Sequence, residues 1–162
     1  MLDFLVMNKG IETRSLYPLF SELTRLETEL WDALDSTLRK EHGLPMSRFE
    51  PMAVVDRLGA CRVFDVASAL AITVGGTSKL IDRIEEAGYC RRRNNPVDRR
   101  SSLIELTADG RILLERARKT VEAELDLRLN PVLSQQNTDD LVELLGRLRN
   151  ASRTAGAAER PS

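Results

Sequence analysis

The chain has 162 residues, 24 Lys plus Arg against 25 Asp plus Glu, with 42% hydrophobic and 30% charged side chains, which fits one compact domain or two small, intimately packed ones and excludes a disordered chain. No run approaches the roughly 18 to 20 consecutive apolar residues of a membrane span, and the opening MLDFLVM lacks the basic region and long apolar stretch of a secretory signal, so the chain reads as cytoplasmic, with no membrane partner. Cys61, Cys90 and the single histidine, His42, show no familiar ligand spacing, and no metal or other cofactor is expected.

From Leu16 the apolar residues fall at Leu19, Phe20, Leu23, Leu26, Leu30, Leu34 and Leu38, a three-and-four spacing that predicts one long amphipathic helix ending at Gly43. Ser47 with Glu50 three residues on reads as a capping box opening a second helix. In it Phe49, Met52, Val55 and Leu58 face inward, Pro51 is tolerated in the first turns, and Gly59 ends the helix. A minimal strand at 61–63 leads to a third helix with Asp65 as N-cap, running through Leu70, and a tight turn at 71–73.

Thr73 caps a fourth helix over 74–87, closed by Gly88, with Thr77, Leu80, Ile81 and Ile84 inward. Its other face is polar and small: Gly75, Gly76, Ser78, Lys79, Asp82 and Arg83. Adjacent glycines cost roughly 1 kcal/mol each relative to alanine in a helix interior. They mark either a close approach of a backbone or base edge or a prolonged turn before the helix. Segments 89–93 and 102–106 then read as a β-hairpin with a projecting loop at 94–100 and with Ile104 and Leu106 toward the core.

Thr107 caps a fifth helix carrying Ile112, Leu113, Ala117, Val121 and Leu125 and ending near Pro131. Thr138 with Asp139 and Asp140 opens a last helix with Leu141, Leu144, Leu145 and Leu148 on one stripe, and His42 is expected to face the final carbonyls of the first helix as a favourable charge partner.

The near-zero net charge hides an uneven distribution. Residues 61–118 carry 11 basic and 8 acidic side chains, and the stretch 89–104 holds Arg91, Arg92, Arg93, Arg99 and Arg100 against Asp98 alone. Such a cluster is either a solvated surface or a seat for a polyanion. The order helix, short strand, helix, tight turn, helix, hairpin favours the second, because it is that of a winged helix-turn-helix, whose second paired helix enters the major groove of double-stranded DNA. Thr77, Ser78, Lys79 and Arg83 are candidates for base edges, Gly75 and Gly76 for close approach, and Thr73 with the amides at the helix start for a phosphate. On the hairpin, Arg93, Arg99 and Arg100 join this set, the last two placed for the minor groove. Asp98 reads as a carboxylate that orients an arginine by a bidentate pair, or as an ordinary turn cap.

At these residues the sequence resembles the multiple-antibiotic-resistance regulator (MarR) family. The stretch ALAITVGGTSKLIDRIEEAG at 69–88, the Asp98-Arg-Arg100 tip and the Leu106-Thr-Ala-Asp-Gly110 opening of the next helix occur in the family's order, and the resemblance covers about residues 16–150. It implies a homodimer with two lobes reading a palindromic operator, Arg100 as the minor-groove arginine and Asp98 as its positioning acid. It also implies release from DNA by a small aromatic or anionic effector bound between the dimer helices and the lobe. The fold class expected is mainly α (α+β): a winged helix-turn-helix lobe at 46–125, dimerisation helices at 1–45 and 126–150, and a flexible tail at 151–162. The leucine stripes of the first and last helices, too large for a domain of this size to cover internally, agree with the dimer.

Trp31, Phe49, Met52 and Arg57 could line the effector cleft, although aromatic and Met residues at helical spacing are more often core. Arg62 and Arg91 could depress the thiol pKa of Cys61 and Cys90 and make a redox sensor, against the commoner meaning of buried small apolar residues. Two other classes compete with a DNA-binding regulator, probed most simply by replacing both cysteines and by reversing Lys79 and Arg100. One is a winged-helix dimer that binds protein partners without reading DNA; the other is a cysteine enzyme, for which no base-plus-nucleophile constellation is found.

Overall fold

The computed structural model of the chain describes residues 15–158. In chain order the elements are α1 (Tyr17–His42), α2 (Met46–Leu58), α3 (Val63–Leu70), α4 (Val74–Glu86), β1 (Cys90–Asn94), β2 (Ser102–Leu106), α5 (Ala108–Leu129) and α6 (Gln135–Ala158). This is a winged helix-turn-helix with long flanking helices, mainly α as expected. Residues 1–14 and 159–162, part of the expected dimerisation segment and of the expected tail, lie outside the described residues.

Pro18 fits the first turn of α1, and Gly43, left-handed at φ 62, closes it by donating its amide to Arg39. The predicted stripe divides along its length. Leu34 and Leu38 are buried beside the contacts that Asp35, Thr37 and His42 make to α2 and α5, while Leu16, Leu19, Phe20, Leu23 and Leu26 stand exposed.

The second helix starts without the expected Ser47/Glu50 capping box. It begins at Met46 after Pro45, with no cap from its own side chains. The Met46 amide is instead taken by Asp35 Oδ1 of α1 at 2.7 Å. Burial pulls the Asp35 carboxyl up, but its hydrogen bonds from Arg39 and Met46 outweigh that and hold it below the usual carboxylate range. Phe49, Met52 and Val55 enter the core with Pro51 and Val54, whereas Leu58 is exposed at the end of the helix.

The third helix starts earlier than expected. Asp65 is not its N-cap but lies in the first turn, where its carboxylate accepts the Arg62 amide at 2.8 Å. The strand predicted at 61–63 reduces to one bridge, Cys61 with Ile104, closed by hydrogen bonds of 3.1 and 2.7 Å. The axes of α3 and α4 turn through 112° at 71–73, within the roughly 90–120° of a helix-turn-helix.

β1 and β2 pair antiparallel from Cys90 opposite Leu106 to Asn94 opposite Ser102, and the alternation buries Ile104 and Leu106. At the root of this wing Thr107 does three things. Its hydroxyl donates to Gly88 O at 2.7 Å, its Oγ1 accepts the Gly110 amide at 3.0 Å, and its own amide donates to Tyr89 O at 3.1 Å. Gly110 therefore rides on the Tyr89 carbonyl so closely that a Cβ there would stand 2.0 Å from its oxygen.

The inward face of α5 is Gly110, Leu114, Ala117 and Val121, so Leu114, 1% exposed, occupies the place expected for Ile112, which is 58% exposed. α6 is opened by Ser134, whose Oγ accepts the Asn137 amide at 3.2 Å, not by Thr138. It runs on past Asn150 to Ala158, so residues 151–158 are helical where a flexible tail was expected. Leu141, Leu144, Leu145 and Leu148 are all exposed.

A methyl group at Gly110 has only main chain to displace. Gly110→Ala is expected to lower stability by about 2–3 kcal/mol or more in urea unfolding, whereas Gly146→Ala, with open space at its Cβ, should leave it unchanged or raise it.

Candidate nucleic-acid interface

Thr73 caps α4 as predicted, accepting the Gly76 amide at 3.2 Å with its side chain. That amide is therefore not free for a phosphate, which leaves the Val74 and Gly75 amides of the first turn. Gly75 is exposed and its missing Cβ faces open space; at Gly76 a Cβ would stand 3.1 Å from Thr73 Oγ1. Thr77 is fully buried, its hydroxyl donating to Thr73 O at 2.9 Å, so it belongs to the inward face and is withdrawn from the base-facing set. Ser78 is half-buried, while Lys79 and Arg83 are exposed on the face that Gly75 begins.

Most of the wing's positive charge is answered within the chain. Glu105 pairs with Arg91 at 2.6 Å and with Arg93 at 3.1 Å, and Arg92 pairs with Asp82 at 2.6 Å and with Glu85. The Arg91 hydrogen bond leads the contacts that lower the Glu105 carboxyl below its ordinary range. Arg93 is thus held beside Glu105. Among the described residues Arg99 and Arg100 have no ion-pair partner; both are exposed at the loop tip with Val97, which is 93% exposed.

The loop carries these arginines on an internal frame. Asn95, a buried residue whose importance sequence reasoning missed, donates Nδ2–H to Ser101 Oγ at 2.9 Å and accepts the Val97 amide at 3.0 Å. Asp98 accepts the Arg100 amide at 3.0 Å, and its carbonyl accepts the Ser101 amide and hydroxyl. Of the two readings open for Asp98, the geometry is that of the turn cap; among the described residues it forms no bidentate pair with an arginine. Asn in a tight loop is the signal that could have pointed to Asn95.

A MarR family profile matches residues 44–102, from the start of α2 to β2. The transcriptional regulator PecS of Dickeya dadantii is 34% identical over 130 residues, 78% of this chain and 76% of that one. The chain belongs to the MarR family. Its fold is similar to E. coli MarR, solved as a variant complexed with operator DNA, at TM-score 0.74 and 20% identity over 82% of this chain and 94% of that one. It is also similar to the repressor CouR, solved bound to a 23-mer DNA duplex, at TM-score 0.72 and 25% identity over 83% and 97%. CouR of Rhodococcus jostii has also been solved with p-coumaroyl-CoA. At the family level this protein is a DNA-binding transcriptional regulator.

The four residues expected to line an effector cleft are not brought together. Phe49 and Met52 are core residues, Trp31 lies on α1 against a shallow cavity of about 240 Å³ shared with Glu27 and Thr28, and Arg57 lines an open groove with Phe64, Ile72 and Arg149. His42 also departs from expectation. Its buried ring turns from the α1 carbonyls to α5, with Nε2 2.8 Å from Thr120 Oγ1. Because that hydroxyl donates to Glu41 at 3.0 Å, Nε2–H is the donor.

Both cysteines are buried, and burial pushes each thiol up to about 11, with the Asp65 charge adding to the effect at Cys61 and Glu85 at Cys90. This is opposite to the depression expected of a redox sensor: burial dominates, and Arg62 and Arg91 are engaged by Asp65 and Glu105. Both thiols should resist a thiol-specific disulfide reagent in the native state and react on unfolding. The unfolded chain loses these protons near 9 and the folded one near 11, so the folded state binds more protons in between and stability falls as pH rises through that window. Urea unfolding followed from pH about 8 to about 10 should show this fall, reduced in the Cys61→Ala/Cys90→Ala variant.

Proposed function

We propose that this MarR-family protein is a homodimeric repressor that reads a palindromic operator and leaves it when a small aromatic or anionic effector binds. Dimerisation is assigned to the segments 1–45 and 126–150, whose described helices are α1, the end of α5 and most of α6, and DNA reading to the lobe at 46–125. The observation that carries this reading is the pair of arginines without an ion-pair partner among the described residues, Arg99 and Arg100, held at the wing tip on the same lobe as the exposed Gly75, Lys79 and Arg83 and the half-buried Ser78 of α4. With intramolecular partners at 91–93, the charge available to a polyanion concentrates at that tip.

In this reading α4 lies in the major groove. Lys79 and Arg83 contact bases or phosphates, Gly75 admits the backbone close to the duplex, the Val74 and Gly75 amides face a phosphate, and Arg100 with Arg99 enters the minor groove. The exposed leucines of α6 and of the N-terminal half of α1 support a second copy as their cover, since burial of each is worth about 1.5–3 kcal/mol. Twofold symmetry then spaces the half-sites by about one turn, roughly 34 Å. Arg57 and Arg149 on the groove beside α3 supply charge suited to an anionic effector.

Fluorescence anisotropy against the duplex upstream of the protein's own gene and a scrambled control, at roughly 50 and 200 mM salt, tests the reading. The expected outcome is a preference for the native duplex that weakens steeply with salt and drops about tenfold or more in Arg100→Ala. Salt-dependent binding without preference would sink sequence-specific regulation by this duplex, and absence of binding by a folded protein would sink the DNA reading altogether. Leu141→Asp/Leu145→Asp should convert a dimer into a monomer in sedimentation equilibrium.

A further inference from the structure

The alternation of β1 separates its three arginines. Arg91 and Arg93 share the face of Glu105, and Arg92 projects to the other face, toward α4. Its side chain is 26% exposed, against 68% for Arg91 and 46% for Arg93. One guanidinium edge meets Asp82 Oδ1 at 2.6 Å and another meets Glu85 Oε2, while the Arg92 amide donates to Glu85 Oε1 at 2.9 Å. Asp82 and Glu85 lie three apart on α4, one turn beyond Ser78 and Lys79, so a single planar group bridges two carboxylates of the recognition helix to the outer edge of the wing.

Resting on the DNA-reading function above, we propose that Arg92 is a positioning residue that sets the angle between recognition helix and wing and so governs operator specificity, without touching DNA. The covalent link between the two is the turn at Gly88, φ 79, a joint about which the wing could swing. Arg92 acts on the far side of that joint and leads by two residues into the loop that carries Arg99 and Arg100. It also neutralises Asp82, whose carboxylate would otherwise meet the phosphates unopposed from the exposed face of α4. A lysine cannot replace it, because one ammonium lacks the planar fork that reaches two carboxylates at once.

The test compares a duplex selected by the wild-type protein from a randomised pool with its scrambled control, by anisotropy across roughly 50–200 mM salt. Arg92→Gln is expected to lower the operator-to-scrambled affinity ratio about tenfold or more while leaving the salt slope on scrambled DNA unchanged. Arg92→Lys and Asp82→Asn/Glu85→Gln should lower the ratio comparably, and adding Arg92→Gln to the latter should cost nothing further. If Arg92→Gln melts early, the Lys and double variants carry the same comparison. A matched loss on both duplexes, with the salt slope reduced by about one and restored by Arg92→Lys, would make Arg92 a phosphate contact and overturn the proposal. An unchanged ratio in Arg92→Gln overturns it too. A wild-type protein that selects no duplex overturns the DNA reading and this proposal with it.

Discussion

The approach of Gly110 to the Tyr89 carbonyl fixes the relation of three elements at once. Tyr89 follows the end of α4 and precedes β1, and Gly110 lies in the first turn of α5, so the contact joins recognition helix, wing root and the long helix α5 without an intervening side chain. Thr107 locks the junction by bonding to Gly88, Tyr89 and Gly110. The Leu-Thr-x-x-Gly pattern thus has a steric cause: threonine caps the helix while reaching back to the preceding turn, and only glycine lets the two backbones meet.

From that junction the lobe is connected to the long helices through polar contacts laid over an apolar core. Asp35 caps α2 from α1, Asp56 pairs with Arg118 of α5 at 2.8 Å, and Glu41, Thr120 and His42 form a chain across the seam of α1 and α5. His42 Nδ1 is buried there with no hydrogen-bond partner among the described residues. Each contact joins two elements: α1 holds the start of α2 through Asp35, α5 holds its last turns through Arg118, and α1 and α5 are tied to each other through Thr120.

The surface electrostatics depend on the same pairing logic. A protein with formal net charge −1 offers a polyanion little on average, and its arginine-rich strand offers less than its composition promises once Glu105, Asp82 and Glu85 are counted. Among the described residues Arg99 and Arg100 at the wing tip and Lys79 and Arg83 on one face of α4 are exposed and form no ion pair. Which arginines of the wing are left over is a property of the fold.

The sequence by itself determined the element order, the helix-turn-helix, Thr73 and Thr107 as caps, the hairpin and its inward Ile104 and Leu106, because each rests on side-chain periodicity or on chemistry within about four residues. What it missed depends on contacts between segments far apart in the chain. The cap of α2 comes from Asp35 rather than Ser47, Leu114 displaces Ile112 because Gly110 fixes the rotation of α5, and Thr77, read both as inward and as a base contact, proves to be inward only. Trp31, Phe49, Met52 and Arg57 look alike as a lining and as a core until packing disperses them, and the arginines at 91–93 look free until strand alternation delivers each to a carboxylate. Local pattern decides which structure a segment forms; only the tertiary structure decides which face it buries and which charges are left over, since both are sums over neighbours that sequence spacing does not contain.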